Sequence, residues 1–565
     1  MTFYKRILII PISSIHSQFL LLTTIVVLSL ITGITAPKAH AQEVHTQEDQ
    51  PQKEVCTQEP QNVIFIPLTI FDENEKGFIF LHRWANAIHI DTKRLTLENE
   101  AAFFLDKCAK NYSDMAELER HLRSRKYLRD AKVTSDEMVE NITVTTWDNW
   151  SLMPTISFGR QGGESKYSFG IKERNFLGLG IDAEIETYKN SQRKGYKVKT
   201  TIPLFSKKNI DLKLRFADND DGTQQSLSLQ KHFASFYTNN AYQLGFNEES
   251  RNDTIYQNNS ELAIFAHDIS YKSAEYAWLN FNNENSLVRY RVGITQDLHE
   301  FSYTDNAKDN PNSLLLPQDR DFIYPWVGFD YIEKNFKKLT NIHLITQIED
   351  FNHGWQFSSR LGVSDGEKEN SAWALFQAEI NKGFEVHDDA LVLLNIALHG
   401  DIYDQQDHRL LLNINTEYFY NFSSSLGFYL NNINVISNNQ YLDKPVTIGG
   451  DTGLRGFPLQ YQHGEHSVKF TNEIRYYPHI NLFKLFDLAG AAFLDTARTF
   501  GNIEAQGMQE NIENGWLYSV GIGARLYSPH SAGNHQVIHI DFAFPQSDNP
   551  DIDTFEIRVQ AKKSF

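Results

Sequence analysis

The chain has 565 residues, with 71 acidic against 53 basic and a formal charge of −18. That acidic excess argues against nucleic-acid binding, which needs a basic footprint. A mean hydropathy of −0.43 argues against a bundle of membrane-spanning helices.

Residues 1–41 read as a secretory signal: Lys5 and Arg6 carry the charge, Phe19 to Ile34 are apolar, and Ala39-His40-Ala41 is a small-x-small cleavage site. No basic stop-transfer cluster follows. Cleavage removes Lys5, Arg6 and Lys38 but no acidic residue, so the charge moves from −18 to −21. Beyond the signal no segment approaches the ~18 to 20 apolar residues of a spanning helix. If the exported chain enters a membrane, a closed barrel is then the remaining way to satisfy its backbone in lipid.

Residues 42–62, rich in Gln and Glu, read as a disordered leader. Cys56 and Cys108 would lie in an oxidising compartment, where a disulfide is possible and two unpaired thiols are the alternative. Their spacing suits neither a zinc site nor a thioredoxin-type motif.

Residues 63–150 predict a small α+β domain, extended at Val63-Ile64-Phe65-Ile66 and helical twice, with strands near Ala131-Lys132-Val133 and Ile142-Thr143-Val144. The first helix is expected to start at Thr96 as N-cap, with Ala101, Phe104, Leu105 and Cys108 on one buried face. The second is expected to start at Ser113 or Asp114, with Leu118 and Leu122 inward and Glu117 three residues after Asp114. Arg120, Arg123, Arg125, Lys126, Arg129 and Lys132 form a basic run, read as a solvated face in preference to a docking surface.

Residues 151–565 carry repeated period-2 alternation. Ile210, Leu212, Leu214 and Phe216 alternate with Asp211, Lys213 and Arg215, as Ile538, Ile540, Phe542 and Phe544 do with His539, Asp541 and Ala543. One apolar and one polar face suit a barrel with lipid outside and a wet lumen. Aromatic pairs such as Tyr476-Tyr477 suit its interfacial girdles. A soluble β-sandwich or propeller would alternate equally well.

Four segments carry a family resemblance. Gly449-Gly450-Asp451-Thr452-Gly453-Leu454-Arg455-Gly456-Phe457-Pro458 resembles the [VL]-Arg-Gly-[FY] loop of the bacterial surface antigen superfamily, which holds the BamA and TamA assembly proteins and the two-partner-secretion transporters. Ser519 to Leu526 and His539 to Pro545 are similar to late-barrel strands of that family, and Glu173 to Gly180 to its early "N-[FL]-L-G-x-G" turn. Leu118 to Val133 is similar to the pattern of a POTRA domain, of which only one fits before the barrel.

The resemblance implies an all-β transmembrane barrel of about 16 antiparallel strands after one POTRA-like periplasmic domain. Over the 415 residues of 151–565 that count allows about 26 per strand and connection, ample for strands of ~9 to 11 residues. Leu454, Arg455, Gly456 and Phe457 are implied to fold inward, with Glu473 and Asp495 as acidic partners of Arg455. Phe555, Ile557, Val559 and the terminal Phe565 resemble the signal that barrels present to the β-barrel assembly machinery.

The expected function is non-enzymatic: inserting or translocating a client polypeptide at the bacterial outer membrane without ATP. Transport would depend on the seam between a first strand near Thr155 to Arg160 and the last, where Gly159, Gly162 and Gly163 either weaken pairing or form a turn. The alternatives are a passive channel or structural barrel and a two-partner-type secretion pore, although no clear plug is visible. No nucleophile elbow, P-loop or metal-binding His pair stands out, and no cofactor or metal is expected. The expected partners are outer-membrane lipid, the client and the assembly machinery.

Overall fold

A computed structural model describes residues 62–71, 80–107, 110–136, 141–161, 164–304, 315–365, 372–404, 407–501, 508–532 and 536–562. The signal, residues 42–61 of the leader, Cys56, Cys108, Gly162, Gly163 and Phe565 fall outside them.

The N-terminal domain contains β1 (Asn62–Leu68), α1 (Phe80–Ile88), α2 (Arg94–Glu100), α3 (Ala102–Leu105), α4 (Tyr112–Arg123), β2 (Leu128–Ser135) and β3 (Asn141–Asp148). The sheet order is β1-β3-β2, with β1 parallel and β2 antiparallel to β3. Leu97, Phe104, Leu118, Leu122, Tyr127, Ile142 and Val144 form its core.

Two helix starts differ from expectation. Asn111 caps α4: its side chain accepts from the Asp114 N–H at 3.0 Å, and Asp114 accepts in return from the Asn111 N–H at 2.9 Å. This reciprocal pairing satisfies two donors that a start at Ser113 or Asp114 would leave open. Thr96 lies inside α2, which begins after Lys93, and its hydroxyl donates to Gly178 O at 2.8 Å. Helix α1 is an element the sequence pattern did not disclose.

From Leu152 to Lys562 the chain forms a closed barrel of 20 long strands, each antiparallel to its neighbours, plus the two-residue strand Asn481–Leu482 beside one turn. The expected count of 16 is therefore corrected. Connections are shorter than an even division of the chain suggested: Asn258 and Asn259, both at positive φ, make one turn by themselves. An even number also lets the first and last strands close the ring antiparallel.

Side-chain alternation defines the two faces. Ile156, Phe158, Phe169, Ile171, Ile185, Val292, Ile294, Val327, Leu361, Val520, Ile522 and Phe542 are exposed on the outside. Such an apolar exterior on a closed barrel is a lipid-facing band. No helix among the described residues is long and apolar enough to cross a membrane.

The domain packs on the barrel end where the first strand begins. Asn175 donates to Thr92 Oγ1 at 2.8 Å and accepts from the Gly180 N–H at 2.7 Å, while Gly178 O accepts the Lys93 N–H at 2.9 Å. A Cβ on Gly178, whose φ is 75°, would come within 2.4 Å of Asp91 O. The Asn-Phe-Leu-Gly turn is thus a docking surface for α2.

The four arginines of the basic run face the barrel or their own domain, while Lys126 and Lys132 are exposed. Arg123 forks onto Asp350 at 2.9 and 3.0 Å, Arg120 lies over the Phe236 and Phe336 rings, Lys126 is 3.4 Å from Asp182, and Arg129 donates to Ile70 O. The solvated-face reading is corrected for the arginines and holds for Lys126 and Lys132: a flat charge pattern carries no record of which surface will cover part of it.

Candidate functional site

The inward loop joins the strands Leu426–Asn438 and His466–Tyr476 at the barrel end away from the N-terminal domain. Its stem is a short hairpin, Val446–Ile448 with Gln462–Gly464. Its tip closes on itself: the Gly450 N–H donates to Pro458 O at 2.9 Å and the Leu454 N–H to Gly449 O at 3.1 Å. Gly453 and Gly456 take φ of 94° and 86°, and a Cβ on Gly456 would meet Pro545 at 2.7 Å. Glycine here allows both the turn and the close approach to the wall.

Leu454, Phe457 and Tyr461 are fully buried with Ile448, Ala497 and Leu517, so the tip has its own apolar core within the lumen. Arg455, only 3% exposed, lies between them. Its Nε and Nη2 fork onto Asp495 at 2.6 and 2.7 Å, and its Nη1 lies 3.3 Å from Glu473 and 3.5 Å from Asp541. The guanidinium also covers the Phe493 ring at 3.3 Å from its centroid. A planar five-donor group can fork one carboxylate, reach two more and stack on a ring, whereas an ammonium cannot.

Around it, Arg525 is 2.6 Å from Asp541 and 3.5 Å from Glu473, and Arg475 is 3.3 Å from Glu473. Three arginines thus face three carboxylates, drawn from the loop and strands of the C-terminal wall. Sequence reasoning paired Arg455 with Glu473 and Asp495 but missed Asp541, Arg475 and Arg525. Asp541 did stand in a quoted motif, as a charged residue within an apolar alternation.

A second insertion enters from the opposite end. The connection between the strands Arg320–Glu333 and Gln356–Val363 carries the hairpin Phe336–Thr340 with Ile348–Asn352. Its tip residues Ile342, Leu344 and Ile345 are buried against Phe419, Tyr429, Tyr477, Tyr527 and Val537 of the barrel wall. Glu349 holds the tip by accepting the N–H groups of Ile342, His343 and Leu344 at 3.0 to 3.3 Å. Arg475 joins the two insertions, bonding Glu473 on one side and donating to Ile342 O at 3.1 Å on the other. This hairpin is an insertion packed on the barrel wall that sequence patterning did not reveal, because its short apolar tip reads as an ordinary turn.

The hairpin also meets the N-terminal domain, through Arg123 on Asp350 and Lys338 on Glu119 at 2.7 Å. Nearby, burial pushes the Glu100 carboxyl up, but Arg125, His121 and Tyr127 outweigh it and hold the pKa at about 2. Burial and Arg125 lower the pKa of His121, which is 2.9 Å from Glu100. In the connection after the strand Leu517–Tyr527, burial and Arg129 push His530 down to about 3.

The barrel closes between its first strand, Leu152–Gln161, and its last, Glu556–Lys562. Among the described residues only Arg558↔Gly159 and Val559↔Phe158 are paired there. The adjacent junctions carry ten and seven pairs, and the strands Asn240–Gln257 and Ser260–Asn282 share eighteen. A Cβ on Gly159 would meet only Arg558 Cγ at 4.0 Å, so crowding does not demand glycine there. Ile557 is exposed on the outer face, and Phe555 falls just before the strand it was expected to begin. On the inner face, Arg558 donates to Gly450 O of the inward loop at 3.3 Å.

No family model matches the chain, and no curated protein does. Among solved structures it is similar to BamA from Haemophilus ducreyi lacking POTRA domains 1–3, at 13% identity and a TM-score of 0.39, over 89% of this chain and 84% of that one. It is similar to CdiB from Escherichia coli at 12% identity and a TM-score of 0.43, over 89% and 77%. The FrpB iron transporter from Neisseria meningitidis matches at 9% identity and a TM-score of 0.40, over 76% and 87%. Likenesses this distant assign no activity.

Proposed function

We propose that this chain is a bacterial outer-membrane barrel that inserts or translocates client polypeptides without ATP, with its N-terminal domain in the periplasm as a POTRA-like receiver. The observation that carries the reading is the seam, which has two residue pairs among the described residues in a barrel whose other walls are extensively paired. Little main-chain bonding must break to expose both strand edges, and an exposed edge adds a client strand through backbone hydrogen bonds regardless of its sequence.

The lumen favours this over a passive channel. The Arg455 loop enters from the far end and the Phe336–Asn352 hairpin from the domain end, leaving a lateral route the better supported one. Lateral delivery also needs no chemical energy source, since a folding client supplies its own driving force.

The test is a cysteine pair across the seam, Phe158→Cys with Val559→Cys, in a background where Cys56 and Cys108 are serine. Opposed antiparallel residues lie within disulfide reach. Oxidation should deplete a defined set of surface or secreted proteins, measured by mass spectrometry of intact cells, and reduction should restore them. An unchanged set despite complete crosslinking would rule out lateral opening.

A further inference from the structure

The strands Ser260–Asn282 and Ser286–Tyr303 bring together two buried histidines that lie 32 positions apart. His267 Nε2 is 2.8 Å from His299 Nδ1. Each ring is gripped on its other nitrogen by a carboxylate: His267 Nδ1 is 2.8 Å from Asp253, and His299 Nε2 is 3.3 Å from Asp297. Asp443, in the segment leading into the inward loop, completes a group whose ligand atoms all lie within 4.8 Å of one another.

We propose that His267 Nε2, His299 Nδ1 and an Asp443 oxygen form a site for a divalent first-row transition ion, zinc being the fit we commit to. Two imidazoles and one carboxylate are a zinc donor set with an open position for water. Two neutral imidazoles bring two ring hydrogens to the three contacts along Asp253, His267, His299 and Asp297, so when both outer contacts are N–H···carboxylate bonds the central one, between two ring nitrogens, holds none. A metal ion there satisfies both facing lone pairs and leaves both outer N–H···carboxylate bonds intact. Those outer bonds are the arrangement that orients metal-binding histidines.

The two imidazoles are near the required spacing, and the Asp443 oxygen lies within 4.8 Å of both. Tetrahedral donors about 2.05 Å from zinc stand roughly 3.4 Å apart, so the imidazoles must separate by about half an ångström. Asp443 already accepts both arms of Arg320 at 2.7 and 2.8 Å, but a carboxylate offers about four lone-pair positions and the fork takes two. Asp253 and Asp443 line a polar lumenal cavity of about 470 Å³, which provides the entry path. Because Asp443 stands three residues before the stem strand Val446–Ile448, the ion would staple the root of the inward loop to the barrel wall. The site does not depend on whether the seam delivers clients.

Full-length protein in detergent, with Cys56 and Cys108 changed to serine, should bind one Zn²⁺ per chain in competition with a chromophoric chelator. Co²⁺ in its place should give the intense visible bands of a tetrahedral site. His267→Asn with His299→Asn should abolish both signals while the barrel keeps its heat-modifiable mobility in gels. Asp253→Asn, which leaves all three ligands in place, should weaken Zn²⁺ about 10- to 100-fold. Asp91→Asn, in the separate group of His89, Asp91 and Asp148, should change nothing. Should the double variant fail to fold, Asp253→Asn and Asp297→Asn decide. Binding below one ion per chain, or affinity indifferent to these substitutions, would overturn the proposal.

Discussion

The wall formed by Asn240–Gln257 and Ser260–Asn282 and the seam between Leu152–Gln161 and Glu556–Lys562 belong to one barrel but are closed by different means. The wall has eighteen paired positions and holds itself by backbone. The seam has two among the described residues, and what braces its C-terminal side is an inserted loop, through Arg558 on Gly450 O and through Gly456 against Pro545. Backbone pairing is insensitive to sequence, whereas the loop depends on a few buried charges. The loop that touches the last strand is itself anchored to the wall by Arg455 and its carboxylates.

The largest expected effect tests that anchor. Arg455→Ala removes the fork from buried Asp495, while Glu473 and Asp541 keep Arg475 and Arg525, and should cost about 3 to 5 kcal/mol against urea. Combined with Asp495→Asn it should be non-additive by about 0.5 to 3 kcal/mol. Additive losses would show that the loop is held by Leu454 and Phe457 and not by charge.

Next is the acid response of the N-terminal domain, away from the seam. Glu100 has its pKa depressed from 4.5 to about 2 in the folded state. Its contribution is thus present above pH 4.5 and lost as the pH falls toward 2, by up to about 3 kcal/mol. His121, also depressed, acts in the same direction and begins below its ordinary 6.5. Amide exchange in α4 and β2 should rise over this range, and Glu100→Gln should flatten the acid limb. An unchanged limb in that variant would refute the assignment.

A smaller effect is expected at the junction of the domain and the Phe336–Asn352 hairpin. Asp350→Asn leaves the Arg123 fork facing a neutral amide and should destabilise docking by about 1 to 3 kcal/mol, seen as faster exchange in the Phe336–Asn352 hairpin. The smallest effect is a deliberate contrast. A disulfide between Leu244→Cys and Ala274→Cys, opposed in the wall, should leave surface-protein delivery unchanged, because that wall has no reason to open. Equal inhibition by wall and seam crosslinks would erase the distinction.

Much of this site was legible in the chain. Alternation along Ile538 to Phe544 separates lipid-facing from lumenal residues because strand side chains have a period of two, and the glycines around Arg455 signal a turn that other residues resist. What sequence did not contain was set by closure and distance. The count of 20 strands depends on where turns are tight, and Arg120 and Arg123 read as solvated until the Phe336–Asn352 hairpin covers them. His267 and His299 meet only because neighbouring strands pair in one register, Asp268 opposite Glu300. Local periodicity is written residue by residue, but the groups that a closed barrel turns toward one another come from distant strands, and only the register of the whole ring decides which of them touch.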